Sequence, residues 1–353
     1  MQTFLAPLGE LEEYHSIKNA CEKDAGVVQI AGCMDSQKTH LIYGLSQGKK
    51  YRLILAANEL KAREIYEDYR FYDKKVYSYP AKDLLFFQAD IQGNLLIRQR
   101  MCVVKALLEQ EEVTVVTSID GCMDFLMPLE KIKSSLLHFK SDSVIDLDQL
   151  KEELVELGYE RTGQVELPGQ FSVRGGIIDI YPLTEDNPWR IELWDDEVDS
   201  IRSFDAESQR SLENVDEITI YPAAEKMDGE DMVSFLDYFP EEKTLVFLDE
   251  LNHLAENGEA NLPEQWLCGF QELQKKLNRR NCVAVSALSP RRSGWKINEE
   301  FDLTVKSVDS YNSSFELLVK DLLQYKSQGY RIALLSGSGP GRSVWQRIFQ
   351  RKD

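Results

Sequence analysis

The chain has 353 residues, more than one ordinary domain, with 43% hydrophobic and 29% charged positions, so it reads as a globular protein of two to three units rather than a disordered one. Sixty acidic against 41 basic side chains leave a formal net charge of -19, which argues against avid DNA binding, since a phosphate polymer gains affinity from clustered cations. The six cysteines are scattered with no CxxC pair, which argues against a zinc site or a disulfide framework and for a reducing compartment.

The start, MQTFLAPLGELEEYHS, has no basic region followed by a long apolar run, and no segment approaches the roughly 20 apolar residues of a membrane helix. A cytoplasmic protein is expected. The first third then alternates apolar, β-branched runs with helical ones: GVVQIAG (26–32), YRLILAA (51–57), KVYSYP (75–80) and VTVVTS (113–118) as strands, with helices over 58–73 and 94–110. Alternation of this kind predicts a parallel sheet covered on both faces.

The pattern changes at DLDQLKEELVELGYE (146–160), an amphipathic helix. It is followed by FSVRGGIIDIYPL (171–183), WRIELWDD (189–196) and EVDSIRSFD (197–205), with turn chemistry at TEDNP and at Asp195, Asp196 and Glu197. Short connections between consecutive strands predict an antiparallel sheet, hence a small α+β unit inserted in the α/β frame. The Gly175–Gly176 pair reads as a bulge or a close backbone approach. Strands at KTLVFLDE (243–250), NCVAVSAL (281–288) and YRIALLSGS (330–338) resume the α/β pattern. A final helix near SVWQRIF implies a fragment of a longer chain.

Four segments carry residues of chemical interest. AGCMDSQKTH (31–40) follows a strand and precedes a helix, the place of a phosphate-binding loop GxxxxGK[ST]. Gly32, Lys38 and Thr39 fit that pattern, but Gln37 occupies the second glycine, where a Cβ disfavours the required backbone and intrudes on the phosphate. LVFLDELNH (245–253) ends an apolar strand in Asp249 and Glu250, as a magnesium-holding Walker B strand does, although strand ends commonly meet solvent with acids. SGSGPGRS (336–343) reads as a long turn. None of the four histidines has metal-ligand spacing.

The fourth segment is 158–205. Alternation in FSVR sends Phe171 and Val173 to one side and Ser172 and Arg174 to the other. Arg161, Arg174 and Arg190 are cations in an acidic neighbourhood. Arginine beside the aromatics Phe171 and Tyr181 is the side-chain chemistry that anchors protein interfaces, whereas a single exposed Arg more often makes a local salt bridge.

GQFSVRGGIIDIYP followed by RIELWDDEVDSIRSFD resembles the insertion domain shared by UvrB and the bacterial transcription-repair coupling factors (Mfd), and AESQRSLENVDEITIYPA (206–223) is more similar to the latter. The resemblance extends over most of the chain. It implies a UvrB-like, P-loop-NTPase-like lobe (1–125), an inserted UvrA-binding domain (126–205), a second companion lobe (206–305) and the start of a small third α/β domain (306–353). It implies no cofactor and no metal, and a phosphate loop that has lost ATPase activity. In LLFFQADIQGNLLIRQR (84–100) it leaves no room for UvrB's aromatic hairpin.

The implied partner is UvrA. The implied contacts are Arg161, which follows the helix-ending GY, Arg174 of the V-R-G phrase, Tyr181 and Phe171. Ser172 stands where UvrB has another arginine. The family's RNA polymerase-binding and DNA-translocating regions have no counterpart in these residues, so neither partner is assigned. The rival reading is a nucleotide-dependent, helicase-like ATPase lobe working through Lys38, Thr39, Asp249 and Glu250. A damage-binding DNA protein is a third.

Overall fold

The computed structural model describes residues 5–332 except 24, 83–89, 110, 226–230, 261–266, 290–293, 306–310 and 312–313. The expected absence of an aromatic hairpin near 84, the glycine loop at 336–343, most of the strand at 330–338 and the last helix lie outside the described residues.

The strands, in chain order, begin with β1 (Gly26–Ala31), β2 (Tyr51–Ala56), β3 (Val76–Tyr79) and β4 (Val113–Ser118). Short β5 (Phe125–Leu126), β6 (Leu137–Lys140) and β7 (Glu160–Arg161) precede β8 (Gln170–Arg174), β9 (Ile177–Ile180), β10 (Trp189–Trp194), β11 (Glu197–Phe204) and β12 (Ser211–Val215). Then come β13 (Glu217–Ile220), β14 (Val233–Ser234), β15 (Thr244–Asp249), β16 (Asn281–Val285) and β17 (Ile297–Asp302).

A seven-stranded sheet runs in the order β17-β1-β16-β15-β2-β4-β3, and every pairing in it is parallel. Strands β1, β2, β4 and β15 are buried at every position, as a sheet sandwiched between helices requires. This explains why their sequences run continuously apolar and do not alternate. Strands β15, β16 and β17 enter the same sheet as β1 and β2, with β16 and β15 lying between them. Sequence periodicity identifies strands but carries no pairing information, so this interleaving had no local signal.

The insert is a six-stranded sheet in the order β12-β11-β10-β9-β8-β7, antiparallel except for β7 against β8. It extends beyond the expected boundary at 205, because β12 pairs with β11. The run 171–183 is two strands, not one with a bulge. Arg174 pairs with Ile177 across a Gly175–Gly176 turn, and Gly175 takes φ +61, which its lack of a Cβ permits.

The helix Leu147–Glu156 buries Leu150 and Leu154 in the core that also holds Phe171, Ile178, Ile180 and Ile191. Asp146 starts that helix, its Oδ1 accepting from the N–H groups of Asp148 and Gln149 at 2.9 and 3.1 Å. The same apolar cluster continues through Leu53, Val115 and Leu248 of the large sheet, so insert and frame share one core. A second cluster, with Ile54, Phe247 and Tyr69, lies on the other face. Among the described residues no helix is long and apolar enough to cross a membrane.

Candidate functional site

The phosphate-loop position is built tightly. The helix Asp35–Leu45 begins only a few residues after β1, so Lys38 and Thr39 already lie inside it. The N–H groups of Gln37 and Lys38 both donate to the carbonyl of Met34, at 2.9 and 3.1 Å, and so are turned into the helix. Gly32 has φ +79, and a Cβ there would stand 1.9 Å from the carbonyl oxygen of Leu303. Leu303 in turn donates its N–H to Ala31. The glycine that matched the phosphate-loop pattern is required by the chain that follows β17.

Lys38 is 3% exposed and donates to Asp249 Oδ1 at 2.8 Å and to Glu250 Oε1 at 2.6 Å. Burial alone would lower its pKa, but the two carboxylates outweigh burial and hold the ammonium above its ordinary value. Asp35 approaches the same nitrogen at 3.1 Å and is shared with Lys61. Glu250, at φ +53, also accepts the N–H of Ala287 at 2.8 Å. Thr39 is buried and lies against the Tyr72 hydroxyl. The structure therefore joins Lys38 directly to Asp249 and Glu250, with Thr39 lining the same cavity as Lys38 and Asp249, while Gly32 faces Leu303 and the Gln37 N–H is held by Met34.

In the insert, Phe171 is wholly buried in the shared core and is corrected from a contact residue to a packing residue. Its face is the one that carries Ile178 and Ile191, because side chains alternate along a strand. The opposite face carries a polar row, Ser172, Asp179, Arg190 and Arg202, in register across β8 to β11. Ser172 is 1% exposed, its hydroxyl donating to the carbonyl of Gly163 at 3.0 Å.

Arg174 stands on that polar face with its side chain 47% exposed. It donates to Asp179 Oδ2 at 2.7 Å, and Asp179 is 1% exposed. Arg190 donates to both oxygens of Asp179, at 2.6 and 2.9 Å, and lies over the ring of Phe204 at 4.3 Å. Hydrogen bonds to Asp179 raise the Arg190 pKa, against the pull of burial. One buried carboxylate thus holds two guanidinium groups, and Arg174 is the one left reaching water. Tyr181 is half-buried, its hydroxyl donating to the carbonyl of Asp186 at 2.7 Å.

Arg161 is exposed on the two-residue edge strand β7, in register with Phe171. Register and alternation set it on the core-helix side, where it lowers the pKa of Asp148, whose main depressing partner is Lys151. Arg161 and Arg174 therefore flank the sheet edge from two faces and do not share one. Ten to fifteen residues of separation hid this, because the register of a two-residue edge strand has no sequence signature.

Two features escaped the sequence reading. Asp179 has the alternation that pairs it with Arg174 and Arg190, a signal that was available in the strand pattern. The other is a buried node where the chain returns from the insert. Arg100, 0% exposed, donates to Asp124 at 2.7 Å, to both oxygens of Glu225 and to the carbonyl of Pro80, and lies over the Tyr79 ring at 4.2 Å. Lys82 adds an ion pair to Glu225 at 3.2 Å.

With this geometry in place, residues 137–225, the span from β6 through the sheet to Glu225, match the family model described as the UvrB interaction domain. The chain is a relative of the transcription-repair-coupling factors. It is 37% identical over 228 residues to the transcription-repair-coupling factor of Bacillus subtilis, covering 64% of this chain and 19% of that protein. To the proteins of the same name from Staphylococcus aureus and Staphylococcus haemolyticus it is 34% and 35% identical, over 59% and 53% of this chain and 18% and 16% of theirs. The match thus takes in less than a fifth of each relative's length. The α/β frame, with a parallel sheet and a separate antiparallel one, is consistent with this relationship.

Proposed function

We propose that the chain is a docking module of transcription-coupled nucleotide excision repair, acting in the cytoplasm, whose inserted sheet recruits UvrA and which performs no chemistry of its own. The observation that carries this is Arg174: half exposed, fixed by the buried Asp179, and set inside the segment that matches the UvrB interaction domain. Arg161 adds a second cation at the adjoining edge strand. A partner that closes around this edge meets both, with carboxylates opposite them setting register and on-rate. Tyr181 borders the same polar face and contributes its ring edge.

The non-catalytic part of the reading is supported by Lys38. A lysine serving nucleotide must present its ammonium to the β- and γ-phosphates, whereas this one is held by Asp249 and Glu250 and the nearby N–H groups are consumed by the helix. RNA polymerase and DNA contacts, and translocation, are not proposed for these residues. Calorimetric titration with UvrA, paired with a thermal-shift series in Mg-ATP, tests both halves. Heat of binding with UvrA and an unmoved melting point in millimolar Mg-ATP are expected. A nucleotide-induced rise in melting point would return the ATPase-lobe reading.

A further inference from the structure

Trp194 is 80% exposed at the end of β10, where β10 turns into β11. The turn does not require it: the reversal is made by Asp195 at φ +60 and by Asp196. Strand β10 stays regular through the register shift, which adds its extra residue, Asp199, to β11. Alternation therefore puts Trp194 on the face of Arg190 and Glu192, and Glu192 is aligned with Ile177, the cross-strand partner of Arg174. Trp194 and Arg174 look out from the same side of the sheet.

The indole stands in a strongly acidic setting. Asp195, Asp196, Glu197 and Asp199 are all exposed, and among the described residues none of them is ion-paired. Val144, 70% exposed, is bridged to Glu197 and widens the apolar contact. An exposed indole followed in the chain by a run of exposed carboxylates suits a guanidinium or ammonium group, which gains both the ring quadrupole and Coulomb attraction. The same carboxylates repel nucleic acid and anionic lipid, and a second copy of this chain would bring a net charge of -19 against another.

We infer that Trp194 and the acidic corner 195–199 form a second contact of the docking face, which takes a cationic, arginine- or lysine-bearing patch of the same protein partner that meets Arg174. Arg174 and the corner then make the face dipolar, and a dipolar face fixes orientation where a uniformly basic one does not. The identity of the partner rests on the proposed function. The corner supplies the exposed aromatic anchor that Phe171, being buried, does not.

The test titrates purified UvrA with the full chain and three variants: Trp194→Ala, the double variant Asp195→Lys with Asp196→Lys, and Arg174→Glu. All substitute exposed side chains, and unchanged melting points verify that they fold. Weakening of about 10-fold or more by Trp194→Ala and by the lysine pair is the expected result. Loss with Arg174→Glu alone, the corner variants binding like the parent, overturns this inference and leaves the docking reading standing. Loss with the corner variants alone supports the corner and removes Arg174. Failure of the parent chain to bind UvrA overturns both.

Discussion

Lys38 and Asp249 meet at 2.8 Å with side chains 3% and 2% exposed, so the residue that most resembles a nucleotide-binding lysine is spent on an ion pair inside the protein. Pairs so buried are poor sources of net stability, yet breaking one is costly because the remaining charge is stranded. The lysine has become part of the scaffold that holds the helix Asp35–Leu45 against β15.

Lys38→Met is therefore expected to destabilise the chain by about 3–5 kcal/mol, read from urea midpoints at constant slope. Changing Lys38→Met together with Asp249→Asn recovers part of the loss, since the most buried carboxylate is then neutral and the charges that remain, on Glu250 and Asp35, are better exposed to water. A working phosphate lysine, facing solvent until ligand arrives, would show little of either effect.

Gly32→Ala tests the same region from the backbone. The left-handed conformation disfavours a Cβ by about 1–2 kcal/mol, and the close carbonyl of Leu303 adds to that. A melting point well below the parent's, with no ligand present, is expected. An unchanged melting point would show that the contact with Leu303 yields freely.

The node at Arg100 makes stability pH-dependent. Burial pushes the Glu225 carboxyl up, but Arg100 and Lys82 outweigh it and hold the group below its ordinary value. A carboxyl depressed in the fold contributes stability above its unfolded pKa and loses it as pH falls through the folded one. The parent should thus lose stability as pH falls below about 4.5, the unfolded value. Glu225→Gln, weaker at neutral pH by about 3–5 kcal/mol, should have a shallower acid limb. Parallel acid limbs for the two proteins would contradict the assignment.

Much of the fold was legible because the physics is local. Continuous apolar runs gave β1, β2, β4 and β15, and leucines at helical spacing gave Leu147–Glu156. What escaped depends on pairing between distant segments. The interleaving of β15 and β16 between β1 and β2 is such a case, as is the separation of Arg161 from Arg174 by the register of β7. At the site, alternation placed Arg174 outward, but the same rule sends Phe171 into the core, and reading both as contacts used the rule only once. Trp194 and Asp199 mark the limit from the other side. An exposed tryptophan looks like a buried one until the strand end is located.

Phe171→Ala separates packing from contact. Removing a fully buried ring should cost about 3–5 kcal/mol of stability, while UvrA affinity per folded molecule stays near the parent's at temperatures well below melting. Binding lost in a fully folded Phe171→Ala variant would restore Phe171 as a contact.

The central claim is that guanidinium groups at the edge of the inserted sheet hold UvrA, and its most direct measurement is the affinity of Arg174→Glu for UvrA by calorimetry. Arg174 is half exposed, so the variant should fold like the parent, and affinity should fall by about 100-fold or more, with Arg161→Glu deepening the loss. Parent-like affinity for the Arg161→Glu, Arg174→Glu double variant would contradict the account.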